Sequence, residues 1–197
     1  LSILDIGCAR GEFLYYIKNK YPSNFNKFTG FDSSKILIKK AKTKKELNNV
    51  NFSRKNILNF NLKKKFRIIT IIGVIEAVQN IDNVFLNIAK HQNKNDLLFL
   101  LGRFNKNEVD QVNFYLNKNK INKWQTTATW SISTLKKKFK KSKYKMLNHY
   151  YFKLPFDLKQ NKKDPMRGFT LKTQHGKKFS NGLGFLYDIS LIILKKL

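Results

Sequence analysis

The alternation of short apolar runs with helical patterns limits the fold of this chain more than any other feature of its sequence. Strands that alternate with helices pair in parallel, and the helices pack on both faces of the sheet. The apolar runs that predict buried strands cover residues 2–6, 27–31, 50–54, 66–73 and 97–101. The segments with apolar residues at helical spacing cover residues 12–20, 34–45 and 81–91. The pattern therefore predicts a doubly wound α/β fold.

The second half of the chain carries weaker periodicity. It predicts helical segments near residues 108–117 and 134–141, a sixth strand over 145–154 and a last strand over 186–194. An excursion over residues 155–182 separates these two strands, and it contains two short strands that meet at a turn, His175-Gly176. Neither an internal repeat nor a linker-like stretch interrupts the chain, so we expect one domain over residues 1–197.

The loop between the first strand and the first helix is rich in small residues and reads Leu4-Asp5-Ile6-Gly7-Cys8-Ala9-Arg10-Gly11. In a doubly wound fold this loop lies at the carboxyl edge of the sheet, where ligands bind. Small residues let backbone N–H groups approach a ligand at the helix N-terminus. A Gly-x-Gly-x-x-Gly dinucleotide site would need glycine at position 12, where the chain has Glu12. The alternative is an ordinary strand-to-helix turn that binds nothing.

The same loop resembles the first motif of the class I S-adenosylmethionine-dependent methyltransferases, in the group of small-molecule and sugar methyltransferases. That motif reads Leu-Asp-Ile-Gly-Cys-Gly-x-Gly, and the chain departs from it at Ala9. The resemblance implies S-adenosyl-L-methionine as cofactor and a Rossmann-like sheet of seven strands in the order 3-2-1-4-5-7-6, with the last strand antiparallel. The family's helix before the first strand has no counterpart here, so we expect an upstream segment to be missing from this sequence.

Further positions match the family in order along the chain. Asp32, at the end of the second strand, matches the acidic residue that accepts hydrogen bonds from the ribose hydroxyls, although it is equally suited to cap the next helix. Asn56 falls where the family usually has an aspartate at the adenine site. The cofactor-binding residues that the resemblance implies are Asp5, Gly7, Cys8, Ala9, Gly11, Asp32, Ser33, Asn56, Ile57 and Gly73.

The candidate for a catalytic residue is Glu76, because the resemblance places the segment after the fourth strand near the transferring methyl group. Ala77 stands where the family commonly has histidine. Methyl transfer from a sulfonium depends mainly on positioning, and a base is needed only when the acceptor is a hydroxyl. The three histidines, His91, His149 and His175, favour structural positions, and no spacing predicts a metal site.

The formal net charge is +28, from 40 basic and 12 acidic residues, and lysine far outnumbers arginine. Either A/T-rich codon usage or phosphate binding explains this excess, and the scarcity of arginine favours the former. We expect the lysines of residues 39–45, 63–65 and 136–145 to lie at the edge of the sheet opposite the loop, where they stay solvated. At the carboxyl edge of the sheet, where we expect the ligand, the excursion supplies Arg167, Lys177 and Lys178 as candidates for binding an anionic acceptor.

Three functions stay open on the sequence. The leading one is a methyltransferase of a small or saccharide acceptor, including anionic or nucleotide-linked ones. The alternatives are an RNA methyltransferase, which the net charge motivates, and a non-catalytic binding module, which Ala9, Asn56 and Ala77 motivate. The apolar runs are too short or too broken to span a bilayer, and the single cysteine excludes a disulfide framework. We therefore expect a cytoplasmic protein.

Overall fold

The structure is a computed structural model that describes residues 1–116, 124–164, 166–174 and 176–197. Its sheet is built on five parallel strands, β1 (Ser2–Ile6), β2 (Lys27–Asp32), β3 (Val50–Arg54), β4 (Ile68–Ile72) and β5 (Leu97–Asn105). Next to β5, the sheet continues with β11 (Ile189–Lys196) and then β8 (Tyr144–Phe152), and β11 is antiparallel to both neighbours. The order β3-β2-β1-β4-β5-β11-β8 confirms the order predicted for these strands.

Helices cover the sheet on both faces, as the sequence predicts. Two of them, α1 (Glu12–Lys20) and α2 (Lys35–Lys42), bury Leu14, Ile38 and Ala41 in a cluster that includes Ile3 of β1. The other two, α3 (Val84–Ala89) and α4 (Ile132–Lys141), join a larger cluster that includes Leu4 of β1. Because successive residues of a strand point to opposite faces, the two clusters lie on opposite sides of the sheet. Short 3₁₀ helices follow α2 and β4, at Lys45–Leu47 and Ile75–Ala77.

The prediction of a helix near residues 108–117 is wrong. The segment instead contains β6 (Gln111–Leu116), which pairs antiparallel with a strand that the sequence analysis missed, β7 (Trp124–Ser131). The segment forms a strand because Val112, Phe114 and Leu116 alternate with other residues at a period of two. Its partner strand is rich in threonine, which also favours β-structure. With β7 also pairing with the end of β5, the sheet has nine strands within the described residues rather than seven.

The excursion between β8 and β11 contains the predicted hairpin. Its strands are β9 (Phe169–Thr173) and β10 (Gly176–Ser180), which pair antiparallel from Phe169 opposite Ser180 to Thr173 opposite Gly176. A bridge between Phe179 and Tyr187 connects this hairpin to the segment that leads into β11. The turn residue His175 lies outside the described residues. Among the residues that are described, no helix has the length and apolar content that a bilayer crossing requires.

Packing under the first loop allows a test of stability with a matched control. A Cβ atom on Gly11 would lie 2.7 Å from Phe52 Cζ and 2.8 Å from Leu47 Cδ1, and Gly11 has φ +79°. Gly184 has nearly the same φ, +76°, but open space around its Cβ position. We expect Gly184→Ala to cost about 1–2 kcal/mol from backbone strain alone. We expect Gly11→Ala to cost a further 1–3 kcal/mol, roughly, from overpacking. Urea unfolding of both variants measures the difference, and equal losses would contradict it.

Candidate cofactor site

The loop between β1 and α1 is fastened to the end of β2 by backbone hydrogen bonds. The N–H groups of Gly7 and Cys8 both donate to the carbonyl oxygen of Phe31, at 2.8 and 3.0 Å. Gly7 has φ +76°, and a Cβ atom there would lie 2.2 Å from Val74 Cγ2. Glycine is therefore required at position 7 both by backbone conformation and by the close approach of the segment after β4.

Asp32 connects the first loop to the second. Its Oδ2 accepts a hydrogen bond from the Ala9 N–H at 3.1 Å, and its Oδ1 accepts one from the Ser34 N–H at 2.8 Å. Ser34, rather than Asp32, is the N-cap of α2, since its Oγ accepts a hydrogen bond from the Leu37 N–H at 3.3 Å. The interpretation of Asp32 as a helix cap is therefore wrong. Each carboxylate oxygen can accept a second hydrogen bond, so Asp32 remains able to bind a ligand.

A cavity of about 790 Å³ opens beside Asp32, at the carboxyl ends of β1, β2 and β4. Gly73 lines it with φ +64° and no atom within 4 Å of its Cβ position. Residues on the walls that the sequence analysis did not select include Phe31, Leu58 and Val78, whose apolar side chains carry no motif that would reveal them. Seven of the residues predicted to bind the cofactor line the cavity: Gly7, Ala9, Asp32, Ser33, Asn56, Ile57 and Gly73.

Three of the predicted cofactor residues, Asp5, Cys8 and Gly11, do not line the cavity. Asp5 is buried in β1 and accepts a hydrogen bond from Thr70 Oγ1 at 2.7 Å. Cys8 is a buried free thiol whose pKa is raised, by burial first and then by the charges of Asp5 and Asp32. Gly11 packs against the hydrophobic cluster beneath α1 and α2. Their surroundings direct these three residues away from the cavity and into the packed interior, where they support the shape of the loop.

Asn56 and Ile57 form the wall that follows β3. The Asn56 Oδ1 accepts a hydrogen bond from the Leu58 N–H at 3.0 Å, which closes the turn after that strand. Ile57 is buried beside it and belongs to the larger apolar cluster. The wall therefore presents an apolar surface with one amide group, which suits a flat heterocycle such as adenine.

Glu76 lies next to the cavity in sequence, but its carboxylate is directed toward the end of β5. Its Oε1 accepts a hydrogen bond from the Arg103 N–H at 2.9 Å, and its Oε2 is buried with no hydrogen-bond partner within the described residues. Burial raises the pKa of Glu76, while the charge of Arg103 opposes that rise. The Arg103 guanidinium lies 4.8 Å from the centre of the Tyr187 ring and also donates to Thr127 Oγ1.

The cationic residues predicted to bind an anionic acceptor are mostly engaged with carboxylates. Lys177 Nζ lies 2.7 Å from Asp157 Oδ1. Lys178 Nζ donates to both oxygens of Asp188, at 2.8 and 2.7 Å. These ion pairs connect β10 to the start of the excursion and to the segment before β11. Arg167 lies in the turn before β9, where its N–H donates to the Asp164 carbonyl oxygen at 3.0 Å.

Two histidines are described, and both have structural surroundings. His91 Nε2 accepts from the Leu62 N–H at 3.0 Å, while Nδ1 lies 2.9 Å from the Asn87 carbonyl oxygen. Both ring nitrogens therefore have hydrogen-bond partners, and this arrangement requires the neutral ring, with Nε2 as the acceptor. Burial lowers the pKa of His91 and so favours that neutral form. His149 packs beside Tyr151 in β8, with ring centres 5.0 Å apart. No cluster of three metal-ligating side chains occurs in the described part of the chain.

The residues around the cavity fit a cofactor of the S-adenosylmethionine type. Asp32 offers acceptor oxygens for a diol, the apolar wall suits a purine, and the open space at the Cβ position of Gly73 leaves room for a ligand against the backbone. The fold and this cavity together define a Rossmann-like, nucleoside-binding α/β protein.

The sequence profile of a family described as "methyltransferase domain" matches residues 1–164. A curated relative, (S)-tetrahydroprotoberberine N-methyltransferase of Eschscholzia californica, is 29% identical over 102 residues, which are 50% of this chain and 29% of the relative. A methyltransferase structure from Listeria monocytogenes superimposes with a TM-score of 0.69 at 11% identity, covering 100% of this chain and 91% of that one. An O-methyltransferase from Brevibacillus brevis, in complex with S-adenosyl-L-homocysteine, superimposes with a TM-score of 0.61 at 16% identity, covering 76% and 48%.

The chain belongs to the methyltransferase domain family, within the class I S-adenosylmethionine-dependent superfamily. S-adenosyl-L-methionine is accordingly its cofactor. The chain spans less than a third of the length of the curated relative described above.

The buried position of Asp5 predicts a pH dependence of stability. Burial, opposed by the Thr70 hydrogen bond and aided by the charge of Asp32, raises the Asp5 pKa from 3.8 to about 7 in the folded protein. The folded state therefore holds this proton more tightly than the unfolded state, and the resulting stability, complete below about pH 4, is lost as the pH rises to about 7.

We expect Asp5→Asn to abolish this loss of stability at rising pH, because asparagine does not titrate. Between pH 5 and pH 8, the free energy of unfolding of the wild type should fall relative to that of Asp5→Asn by about 2–3 kcal/mol. Urea unfolding of both proteins without cofactor, at several pH values, measures this difference. Parallel pH profiles for the two proteins would show that Asp5 does not titrate in this range.

Proposed function

We propose that this chain transfers a methyl group from S-adenosyl-L-methionine to a small-molecule acceptor. The observation that carries the proposal is the cavity at the carboxyl edge of β1, β2 and β4, where Asp32, Asn56 and Gly73 meet although they are distant in sequence. We take the whole chain as one methyltransferase domain, with residues 155–182 as a cap on the acceptor side. The free, buried thiol of Cys8 is consistent with a reducing, cytoplasmic setting.

In this proposal each wall of the cavity has its own part in binding the cofactor. Asp32 and Ser33 hold the ribose, Asn56 and Ile57 contact the adenine, and the backbone of Gly7, Ala9 and Gly73 surrounds the remainder. Bound S-adenosylmethionine supplies an electrophilic methyl group on its sulfonium sulfur. The protein then has to orient the acceptor, exclude water and, where the acceptor carries a proton, remove it.

Glu76 is the proposed group that takes this proton. Its Oε2 is buried and has no hydrogen-bond partner among the described residues, while Oε1 is held by the Arg103 N–H. A carboxylate with one oxygen fixed and the other unpartnered keeps a free position for a proton, and its raised pKa brings it closer to the pKa of an acceptor group. The nearby Arg103 and Tyr187 are the proposed contacts for the acceptor body.

The acceptor class follows from what these groups can bind. Hydroxyl-rich saccharides and amines both offer protons to a carboxylate, and the relative from Eschscholzia californica is an N-methyltransferase. An anionic or nucleotide-linked acceptor would use Arg167, because Lys177 and Lys178 are already paired with Asp157 and Asp188. A screen for transfer of labelled methyl groups to amines, nucleotide sugars and total RNA tests these classes together.

Ala9, which stands where the family's motif has glycine, gives little support to the alternative that this chain is a non-catalytic binding module. Ala9 adopts φ +48°, the left-handed conformation that the family's glycine would also permit, and its N–H still reaches Asp32. The left-handed backbone costs alanine about 1–2 kcal/mol, which the surrounding hydrogen bonds offset. The loop therefore keeps its shape with alanine at position 9, which supports the proposal that it still binds the cofactor.

Asp32→Ala should weaken cofactor binding by roughly tenfold to over a hundredfold, because charge-assisted hydrogen bonds contribute about 1.5–3 kcal/mol. Titration calorimetry with S-adenosyl-L-methionine measures this change. The matched control is Ser34→Ala, which removes the cap of α2 and leaves the Asp32 carboxylate in place. If both variants lose the same affinity, Asp32 acts by supporting α2, and its assignment to the ribose is wrong.

Glu76→Gln should lower kcat by about 10²–10⁴-fold on an acceptor found in the screen, with cofactor affinity unchanged. Glutamine can still accept the Arg103 N–H but cannot take a proton, so the variant separates chemistry from structure. Glu108→Gln, at an exposed carboxylate, is the control and should keep full activity. A loss of unfolding free energy in Glu76→Gln without a loss of kcat would assign Glu76 a structural role.

A further inference from the structure

A groove lined by lysines lies at the amino ends of the parallel strands, opposite the cofactor cavity. Its volume is about 1170 Å³. The lysines come from four separate parts of the chain: the segment before β4, the end of α3, the end of α4 with the turn that follows it, and the end of β11. They are residues 63–65, Lys90, Lys141, Lys143 and Lys196.

The positive charge of this groove exceeds the nearby negative charge. Lys141 lies close enough to Asp82 to help lower the pKa of that carboxyl, but Asp82 forms its ion pair with Lys138. No Asp or Glu lines the groove, and none of its lysines forms an ion pair within the described ranges. Lys65 Nζ and Lys196 Nζ instead donate to backbone carbonyl oxygens, those of Gln92 at 3.4 Å and Lys143 at 3.3 Å. Asp96, at the same edge of the sheet, is buried and paired with Arg67 at 2.8 Å.

Mutual repulsion of the ammonium groups is already visible at Lys196. Its pKa is lowered, first by burial and then by the charges of Lys143 and Lys65. Bringing like charges into one concave surface opposes folding, and a bound polyanion would reverse that effect. Unlike an exposed lysine that only extends into water, these residues share a surface on which one ligand could touch several of them.

We propose that this groove binds a single strand of nucleic acid through its phosphates. A concave groove does not match a planar membrane. Its walls also carry amide side chains, Asn59, Asn61 and Asn83, and leucines, Leu58 and Leu86. Amides donate to and accept from base edges, and leucines pack against base faces, whereas inorganic polyphosphate would use the lysines alone.

The proposal goes beyond the proposed methyl transfer and does not depend on it. Of the described residues that line the groove and the cofactor cavity, Leu58 alone belongs to both. Lysine ammonium groups act as point charges without a base preference, so the strand should bind with little sequence dependence and with strong salt dependence.

The test measures fluorescence anisotropy of a labelled, single-stranded oligouridine of about 12 nucleotides, a length within the usual site size of such proteins. The groove variant carries Lys63→Gln, Lys65→Gln, Lys90→Gln and Lys143→Gln. The matched control carries Lys39→Gln, Lys40→Gln, Lys42→Gln and Lys45→Gln, four exposed lysines around the end of α2 with the same total charge. At low salt the groove variant should bind at least about tenfold more weakly, and its salt slope should be shallower by about 2–3. The control should bind like the wild type.

Ultraviolet crosslinking of the same RNA to the wild-type protein gives a second readout that needs no variant. Crosslinked peptides from residues 58–65, 83–91 and 141–143 are expected, and crosslinks confined to other surfaces would overturn the proposal. Equal weakening in both lysine variants would also overturn it, since the binding would then follow net charge. Polyglutamate or inorganic polyphosphate that displaces the RNA at matched charge concentration would reject the assignment to nucleic acid. Thermal unfolding confirms that both variants remain folded.

Discussion

The shape of the cofactor loop depends on one hydrogen-bond acceptor, the carbonyl oxygen of Phe31 at the end of β2. It accepts hydrogen bonds from two successive N–H groups of the first loop, those of Gly7 and Cys8. Two bonds to one acceptor determine both the position and the direction of the loop, and the Ala9 N–H then reaches Asp32. The backbone of Phe31 and the carboxylate of Asp32 thus hold the loop at the end of β2, and the cavity opens beside it.

This arrangement explains why the three small positions of the loop are not equivalent. At Gly7 a side chain would collide with Val74, and at Gly11 it would collide with Phe52 and Leu47. Ala9 has a left-handed backbone, but its side chain replaces a hydrogen at a position that lines an open cavity. Glycine is therefore needed at 7 and 11 for packing, while position 9 tolerates a methyl group at a modest cost in strain.

Much of the architecture was predictable because a parallel α/β fold repeats its local patterns. Each buried strand reads as an apolar run, which predicts the parallel α/β class, and the order of strands was implied by the resemblance to the class I methyltransferases. The hairpin β6–β7 was not predicted, since its strands are only half-buried and their stability depends on each other and on the end of β5. The cavity wall at Phe31, Leu58 and Val78 was missed for a related reason, because in the sequence their apolar side chains look like any other core residue.

The sequence by itself determined the cofactor loop, the positions of Asp32 and Asn56 after their strands, and the alternation that leads to the sheet. These are local properties, since they depend on residue type and on spacing over a few residues. The tertiary structure decided what distant residues do together. It turned Glu76 toward Arg103, paired Lys178 with Asp188, and gathered lysines from four segments into one groove. Such contacts join residues far apart in the chain, and only the folded backbone sets their distances.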